Sequence, residues 1–305
     1  MQTLPACLDG IFSQTVKDRL EVIIIDSGST DGTLDLLKKY PVRIHHLDPK
    51  EFNHGETRNL GVGLAKGKFV LMTVQDAWAA SNDWIELMLT HFDDPDVAGV
   101  CGQQVVPEDK TKNPLQWFRP ASDAKPFSYQ FKDPAEFAKL TGKQQHQYCM
   151  WDDVNAIYRK DIKLKLPFRK MMFSEDTLWA KDALAKGYKI VYDYRARVYH
   201  YHHQNFMFYF KRTYIILYQN YKFYNYIRFP KNPFLRTLQI KARLLRMKEL
   251  SFSEKIKWIN YNLKLVLASW SASVIFALNA WLRGMKGVEK SQKYFVGYPP
   301  QGTQN

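Results

Sequence analysis

The strongest constraint on the fold is a run of β-branched residues over 22–25 that ends in the acidic, glycine-rich segment 26–33. Such a run is typical of a buried strand of a parallel sheet that leads into a helix. Because open α/β sheets bind ligands at the carboxyl ends of these strands, Asp26 lies where a ligand would be held. The residues are equally compatible with an ordinary turn in which Thr30 and Asp31 cap the next helix.

Apolar runs and helix-like segments alternate through the first two thirds of the chain. Strands are predicted over 21–26, 42–47, 69–74, 97–101, 152–159 and 189–199, and helices over 5–15, 33–40, 56–66, 83–92 and 175–186. The alternation predicts an α/β fold, a mostly parallel sheet with flanking helices. Residues 107–148 are predicted to form a long excursion over this sheet. Long segments of this kind within a compact domain usually have a functional role.

The composition changes near residue 204, where aromatic side chains alternate with lysines and arginines. We therefore predict two parts, an α/β domain over 1–203 and a basic, aromatic helical region over 204–305. The net charge of +14 favours polyanionic partners. Basic residues beside aromatic ones suit an anionic membrane surface, so we expect the helical region to bind one.

The uncharged stretch 265–282 is close to the length that spans a bilayer. It contains three serines and Asn279, and Lys264 and Arg283 bound it, so we favour an interfacial or docked helix. A helical subdomain packed on the first domain is the alternative. The first ten residues lack the features of a signal peptide, and three scattered cysteines indicate a reducing compartment without a zinc site. These features predict a cytoplasmic protein.

Two segments carry residues suited to a phosphorylated ligand. Residues 52–61 place Arg58 and Asn59 in the first turn of a predicted helix, after Gly55 has allowed close backbone approach. The alternative is a capped loop with a surface arginine. Asp76 follows the strand predicted over 69–74, where its carboxylate could coordinate Mg²⁺ or Mn²⁺. It could equally be a turn residue or a helix cap.

Two further segments could supply catalytic groups. Glu175 and Asp176 stand at the predicted start of a helix, where they either complement the helix dipole or supply one general base. His200 and His202 follow the strand predicted over 189–199 and lie on the same side of it. One of them could ligate a metal, and a structural role is the alternative.

In this order and spacing, the segments resemble the family 2 glycosyltransferases of the GT-A fold, over roughly residues 4–215. The resemblance is carried by IDSGSTDGT (25–33), FNHGETRN (52–59), VQDA (74–77), SEDTLW (174–179) and VYHYH (198–202). FNHGETRN and VQDA are similar to forms in the rhamnosyltransferase branch. DDVNAIYRK (152–160) resembles the family's segment near the acceptor.

The resemblance implies an inverting transfer from a nucleotide diphosphate sugar, with Mg²⁺ or Mn²⁺ as cofactor. It implies a catalytic role for Asp176 as base and for Glu175 beside it, and metal binding by Asp76 and His200. It also implies donor binding by Asp26, Ser29, His54, Arg58, Asn59 and Gln75, and acceptor binding by Asp153, Asn155 and Trp179. Our hypothesis for the donor, from the same resemblance, is dTDP-rhamnose. The acceptor would be a glycan or lipid-linked glycan in surface polysaccharide synthesis, at the inner face of the plasma membrane.

Three departures from the family pattern leave an alternative open. Val74 stands at the first acidic position of the DxD metal motif, and Trp78 follows VQDA where a proline is usual. The chain opens at a segment that matches the helix after the family's first strand, so we expect that strand to be missing. A truncated, catalytically inactive protein that acts as a binding or scaffold component is therefore the competing hypothesis.

Two other function classes fit the sequence poorly. A nucleic-acid-binding protein is favoured only by the charge and the aromatic residues, and no binding module is recognisable. A glycoside hydrolase needs two carboxylates that flank the scissile bond, whereas Glu175 and Asp176 are adjacent in sequence. The absence of a Gln-x-x-Arg-Trp pattern after residue 200 favours the addition of single sugars over polymerisation.

Overall fold

The structure is a computed structural model that describes residues 3–120, 124–171, 173–228 and 232–297. The chain forms two compact units. The first consists of Met1–Val105, Pro120–Leu140 and Gln144–His200, and the second of Val106–Arg119, Thr141–Lys143 and Tyr201–Asn305. Part of the excursion predicted over 107–148 thus belongs to the second unit.

The elements follow the predicted alternation closely. The strands are β1 (Val22–Asp26), β2 (Val42–His46), β3 (Phe69–Met72), β4 (Trp78–Ala79), β5 (Val97–Val105), β6 (Phe127–Tyr129), β7 (Ala156–Arg159) and β8 (Lys189–Tyr199). The helices up to residue 200 are α1 (Leu4–Phe12), α2 (Thr33–Leu37), α3 (His54–Leu64), α4 (Trp84–Leu89), α5 (Pro134–Lys139), α6 (Gly142–Tyr148), α7 (Lys160–Lys165) and α8 (Glu175–Ala185).

The strands of the first unit form two sheets. β1 and β2 make a parallel pair, and among the described residues they pair only with each other. The larger sheet has the order β3-β7-β5-β8-β4, with β6 also paired to β8. Its strand directions are mixed, since β5 and β8 are parallel while β7, β4 and β6 run antiparallel to their neighbours.

The prediction of a mostly parallel sheet is therefore wrong in the strand directions. The long segment between β5 and β7 can return the chain to either end of the sheet, whereas the apolar pattern marks only that a strand is buried. The α/β layering itself is as predicted. Trp84 and Met88 of α4 pack against Val100, Ile157 and Val198 of the sheet, and burial of each such side chain contributes about 1.5–3 kcal/mol.

The second unit is helical, with α9 (Phe206–Tyr224), α10 (Pro233–Arg246) and α11 (Phe252–Phe295). α11 begins with a capping box of Ser251 and Glu254, and Gly284 interrupts it with a φ of 57°. Trp117, Leu244 and Trp258 lie in the core of this unit. α11 is the one helix of the described residues that is long and apolar enough to cross a membrane, and 33% of its most apolar window is buried within the protein.

Candidate active site

Arg58 lies at the centre of a buried cluster of acidic side chains. Its Nη1 donates a hydrogen bond to Oε1 of Glu175, and its Nε lies 3.5 Å from Oδ2 of Asp153. Burial lowers the pKa of Arg58, but the carboxylates of Asp153, Glu175 and Asp176 outweigh this effect and raise it. Arg58 is therefore a permanent cation that joins α3 to α8 and to the loop before β7.

Hydrogen bonds from neighbouring side chains hold Asp153 in this cluster. The hydroxyl of Tyr158 donates to Oδ1 of Asp153, and Nε1 of Trp151 donates to that hydroxyl at 2.6 Å. Burial raises the pKa of Asp153 to about 6, although Arg58 and the Tyr158 hydroxyl both lower it. The imidazole of His54, at the first position of α3, has a lowered pKa because it is buried; Glu175 raises this pKa in part, and Arg58 lowers it. His54 is thus favoured in its neutral form.

Asp176 is the acidic group of this region best suited to accept a proton. It lies in the first turn of α8, after Ser174 has taken a left-handed conformation with φ of 66°. Its Oδ2 accepts from the backbone N–H of Asp153 at 3.4 Å, and its side chain is half-buried. Burial raises its pKa well above the ordinary value, and the carboxylates of Asp153 and Glu175 raise it further. A higher pKa makes this carboxylate a stronger base.

Asp76 and His200 meet at the ends of two segments that are distant in sequence. Asp76 lies between β3 and β4, His200 follows β8, and Oδ1 of Asp76 lies 3.5 Å from Nε2 of His200. A carboxylate oxygen and an imidazole nitrogen this close can share one coordination sphere. The residues present therefore fit a divalent cation. Val74, at the first position of the DxD motif, packs against the hydrophobic core instead.

Gln104 is a polar residue of this region that sequence analysis missed. Its Nε2 donates to Oδ2 of Asp152, and its Oε1 lies 2.5 Å from Nδ1 of His200. A chain of contacts thus runs from Asp76 through His200 and Gln104 to Asp152, beside the acidic cluster. Gln104 stands near the carboxyl end of β5, and the strand-end argument used for Asp26 could have found it.

Asp26 organises the turn that follows β1. Its carboxylate accepts from the backbone N–H groups of Gly28 and Ser29, each at 3.2 Å, and it lies 3.6 Å from Nδ1 of His46. Burial raises its pKa, but the hydrogen bonds from Ser29, Gly28 and His46 outweigh burial and lower it. Gly28 has a φ of 96°, which disfavours other residues there. These contacts fit the capped-turn interpretation, and donor binding by Asp26 and Ser29 stays a prediction.

Comparison with known proteins identifies the family. The model of glycosyl transferase family 2 matches residues 1–162. The chain belongs to this family. The O-antigen chain rhamnosyltransferase RfbN of Salmonella typhimurium is 34% identical over 203 residues, which cover 65% of this chain and 62% of the relative. WbaN of Salmonella anatum, with the same description, is 32% identical over 194 residues, or 63% and 59% of the two chains.

Solved structures show the same fold as this family 2 chain. Staphylococcus aureus TarS, residues 1–349, has a TM-score of 0.53 at 16% identity, and the match covers 98% of this chain and 77% of TarS. The mannosyltransferase PcManGT from Pyrobaculum calidifontis has a TM-score of 0.52 at 14% identity, with 97% and 82% covered. The predicted GT-A-like α/β class, with a helical C-terminal region, is confirmed.

Three residues predicted to bind the acceptor are buried in this family 2 chain. Asn155 is 0% exposed, and its amide bonds Ala196 and Trp84. Trp179 is 1% exposed, with its ring centroid 4.5 Å from that of Tyr158. Asp153 is also buried and turned towards Arg58. Acceptor binding by these three residues stays a prediction.

Two of the predicted donor-binding residues have different surroundings. Asn59 uses both amide atoms on the backbone of Phe168, at 2.8 and 2.9 Å, and so anchors the loop before α8. Its amide is therefore occupied by the protein, and contact of Asn59 with the donor stays a prediction. Gln75, next to Asp76, is exposed and accessible to a ligand. Its donor role stays a prediction.

Proposed function

We propose that this family 2 chain is an inverting glycosyltransferase that uses a nucleotide diphosphate sugar. The observation that carries the proposal is a series of polar contacts. It runs from Asp76 and His200, a pair suited to a cation, through Gln104 to Asp152. The next residue of the chain, Asp153, donates its backbone N–H to Asp176, a carboxylate suited to act as a base. A reaction that expels a diphosphate while a hydroxyl loses its proton needs both features within one site.

The proposed mechanism assigns one step to Asp176. Its carboxylate takes the proton of an acceptor hydroxyl as that oxygen attacks the anomeric carbon. The bond from this carbon to the diphosphate breaks in the same displacement, so the anomeric configuration inverts. Asp76 and His200 would hold a divalent cation, which supplies charge that neutralises the departing diphosphate.

Glu175, which was predicted to be catalytic beside Asp176, pairs with Arg58. Its catalytic role stays a prediction. Arg58 compensates the negative charge of Glu175 and Asp153, which keeps α3 and α8 together. The guanidinium of Arg58 already contacts two carboxylates of the protein. Direct contact of Arg58 with the donor stays a prediction. Neutral His54 lies against this cluster, where it could donate a hydrogen bond to the donor.

We propose rhamnose, supplied as dTDP-rhamnose, as the transferred sugar, and a glycan or lipid-linked glycan as the acceptor. The support is that two relatives at 32–34% identity are described as O-antigen chain rhamnosyltransferases. The mannosyltransferase with the same fold was solved with GDP-mannose and Mn²⁺. This supports the use of a nucleotide sugar with a divalent cation.

A donor screen tests the proposal. The full chain is incubated with nucleotide diphosphate sugars, an acceptor extract and Mn²⁺ or Mg²⁺, and release of the nucleotide diphosphate is scored. We expect release from one donor, its loss in Asp176→Asn, and its retention in Asp182→Asn. Asp182 is a matched control because it lies on α8 but pairs with Arg169. Donor binding by calorimetry without release from any donor would favour the scaffold hypothesis instead.

We further propose that α10 attaches the protein to the anionic inner face of the plasma membrane. Ile240 and Leu244 of α10 are buried, whereas Phe234, Leu235, Leu238 and Leu245 are 46–67% exposed. At about 100° per residue, these four side chains form one stripe along the helix. Three arginines (236, 243 and 246) lie along one side of the stripe, and Lys241 lies on the other.

The charge of α10 favours an anionic membrane over a second copy of the chain as the partner of this face. The helix contains no acidic residue, so a second copy of this face would bring like charges together. An anionic bilayer accepts both the apolar stripe and the basic flanks, and each basic residue near its surface contributes about 1 kcal/mol.

α11 has a second apolar surface. It is formed by the exposed side chains of Leu267, Trp270, Leu278, Trp281 and Leu282. This surface fits a helix that lies in the membrane interface as well as one that spans the membrane.

Vesicle flotation of the full chain tests this attachment. We expect binding to vesicles with phosphatidylglycerol, loss of binding for Leu238→Glu with Leu245→Glu, and retention for Leu164→Glu. Leu164 is a comparably exposed leucine of α7 in the first unit. Equal binding by all three proteins would contradict a role for α10. Self-association without vesicle binding would show that the stripe joins copies of the chain.

A further inference from the structure

The contacts of Gln104 determine which way its amide points. Its Nε2 bonds Oδ2 of Asp152, and its Oε1 faces Nδ1 of His200. An ionised carboxylate offers only acceptors, so the group that bonds Asp152 has to be the NH₂ donor. The carbonyl oxygen of Gln104 then faces His200, and the alternative amide orientation would place two acceptors together at Asp152.

This orientation sets the tautomer of His200. Because Oε1 of Gln104 only accepts, Nδ1 of His200 has to carry a proton to make the 2.5 Å contact. In the neutral ring, Nε2 then carries the lone pair. Nε2 is the atom that faces Oδ1 of Asp76, at 3.5 Å. The lone pair that a cation needs is therefore on the side of the ring where Asp76 already lies.

We infer that Gln104 is a positioning residue, which fixes the ring and tautomer of His200 so that Nε2 and Asp76 together receive a divalent cation. The inference rests on the proposed function, because it concerns the cation of that site. Asp152 contributes indirectly, because it accepts a hydrogen bond from the amide of Gln104 and so orients it. Hydrogen bonds thus connect His200 through Gln104 to Asp152, the residue that precedes Asp153 of the acidic cluster.

Neither obvious replacement would reproduce both bonds of Gln104. A glutamate could accept from His200 but would place a second carboxylate against Asp152. A leucine fills a similar volume but leaves Nδ1 of His200 without this acceptor. Partners that orient a metal-binding histidine typically change metal affinity by about 10–100-fold when they are replaced. The same range is expected for Gln104.

Metal binding provides a readout that does not depend on activity. Mn²⁺ affinity of the full chain is measured by the electron paramagnetic resonance signal of free Mn²⁺, with dTDP present. Gln104→Leu is expected to weaken Mn²⁺ binding about 10–100-fold. Gln103→Leu is the matched control, because the preceding residue of β5 points to the opposite face of the strand. We expect its Mn²⁺ affinity to match that of the original protein.

The tautomer is measured on the unsubstituted protein, so a folding defect in a variant cannot decide the result. In ¹⁵N-edited spectra of the metal-free chain, the neutral form of His200 is expected to carry its proton on Nδ1. A proton on Nε2 would overturn the inference. Equal Mn²⁺ affinity in Gln104→Leu and Gln103→Leu would also overturn it while leaving the proposed function intact. Failure of the unsubstituted chain to bind Mn²⁺ would overturn both.

Discussion

Replacing Arg58 with methionine should destabilise the first unit strongly. The side chains of Arg58, Glu175 and Asp153 are only 19%, 7% and 1% exposed, so the substitution leaves two carboxylates in a poorly solvated interior. Removal of one partner from such a buried cluster costs about 3–5 kcal/mol. Methionine keeps most of the aliphatic stem, so the lost charge dominates this cost. Since domains typically have about 5–15 kcal/mol of stability, much of the free energy of unfolding would be lost.

The loss of unfolding free energy in Arg58→Met should depend on pH. Without Arg58, Asp153 loses the cation that favours its ionised form, so its pKa in the folded variant rises above that in the original protein. Below about pH 6 the carboxyl of Asp153 is protonated in both folded proteins, so the missing cation matters less. The gap in unfolding free energy between Arg58→Met and the original protein should therefore narrow as the pH falls from 7.5 towards 4.

Urea unfolding followed by tryptophan fluorescence measures this gap. Lys38→Met is the control, because the ion pair of Lys38 with Asp35 has side chains that are 75% and 80% exposed and should contribute nothing measurable. If Arg58→Met unfolds at the same urea concentration as Lys38→Met, the cluster does not hold α3 and α8 together. A gap that widens at acidic pH would equally refute the electrostatic argument.

Three further predictions concern the acidic groups. Asp176→Asn should lower kcat by about 10²–10⁴-fold while the calorimetric Kd for the donor changes little, and near-normal turnover would remove Asp176 as the base. Because the pKa of Asp153 is raised from 3.8 to about 6 in the folded protein, its contribution favours folding at low pH and is lost as the pH rises through about 6. Asp153→Asn should therefore flatten the dependence of unfolding free energy on pH between 4 and 6, and an unchanged slope would contradict this. Treatment with EDTA should abolish nucleotide diphosphate release, and Mn²⁺ should restore it in the original chain but not in Asp76→Asn; full activity in EDTA would exclude the cation.

Local patterns in the sequence predicted most elements of the first unit. Residues 189–199 form β8 as expected, and Gly187 follows α8 with a φ of 81°, as a helix-ending glycine should. Asn53 caps α3, which moves the helix start to His54 from the predicted residue 56. The two-residue strand β4 and the short β6 were missed, because so few residues give no measurable periodicity.

The site was predictable where its residues end strands or begin helices. Asp76, Asp176 and His200 were predicted on that basis, and Oδ1 of Asp76 lies 3.5 Å from Nε2 of His200. Their roles stay predictions. Burial was not predictable from motif order, and Asn155 and Trp179, which were predicted to bind the acceptor, are buried. Gln104 could have been noticed as a polar residue near the end of β5, but its partners Asp152 and His200 come from distant parts of the chain and were not predictable.

The central claim is that one cation and one diphosphate bind where Asp76, His200 and Asp176 converge. Anomalous diffraction from a crystal of the full chain grown with Mn²⁺ and dTDP tests it most directly. The account predicts a single Mn²⁺ peak bonded to a carboxylate oxygen of Asp76 and to Nε2 of His200, with the diphosphate on the ion. A diphosphate bound elsewhere, or a Mn²⁺ ion that contacts neither side chain, would contradict it.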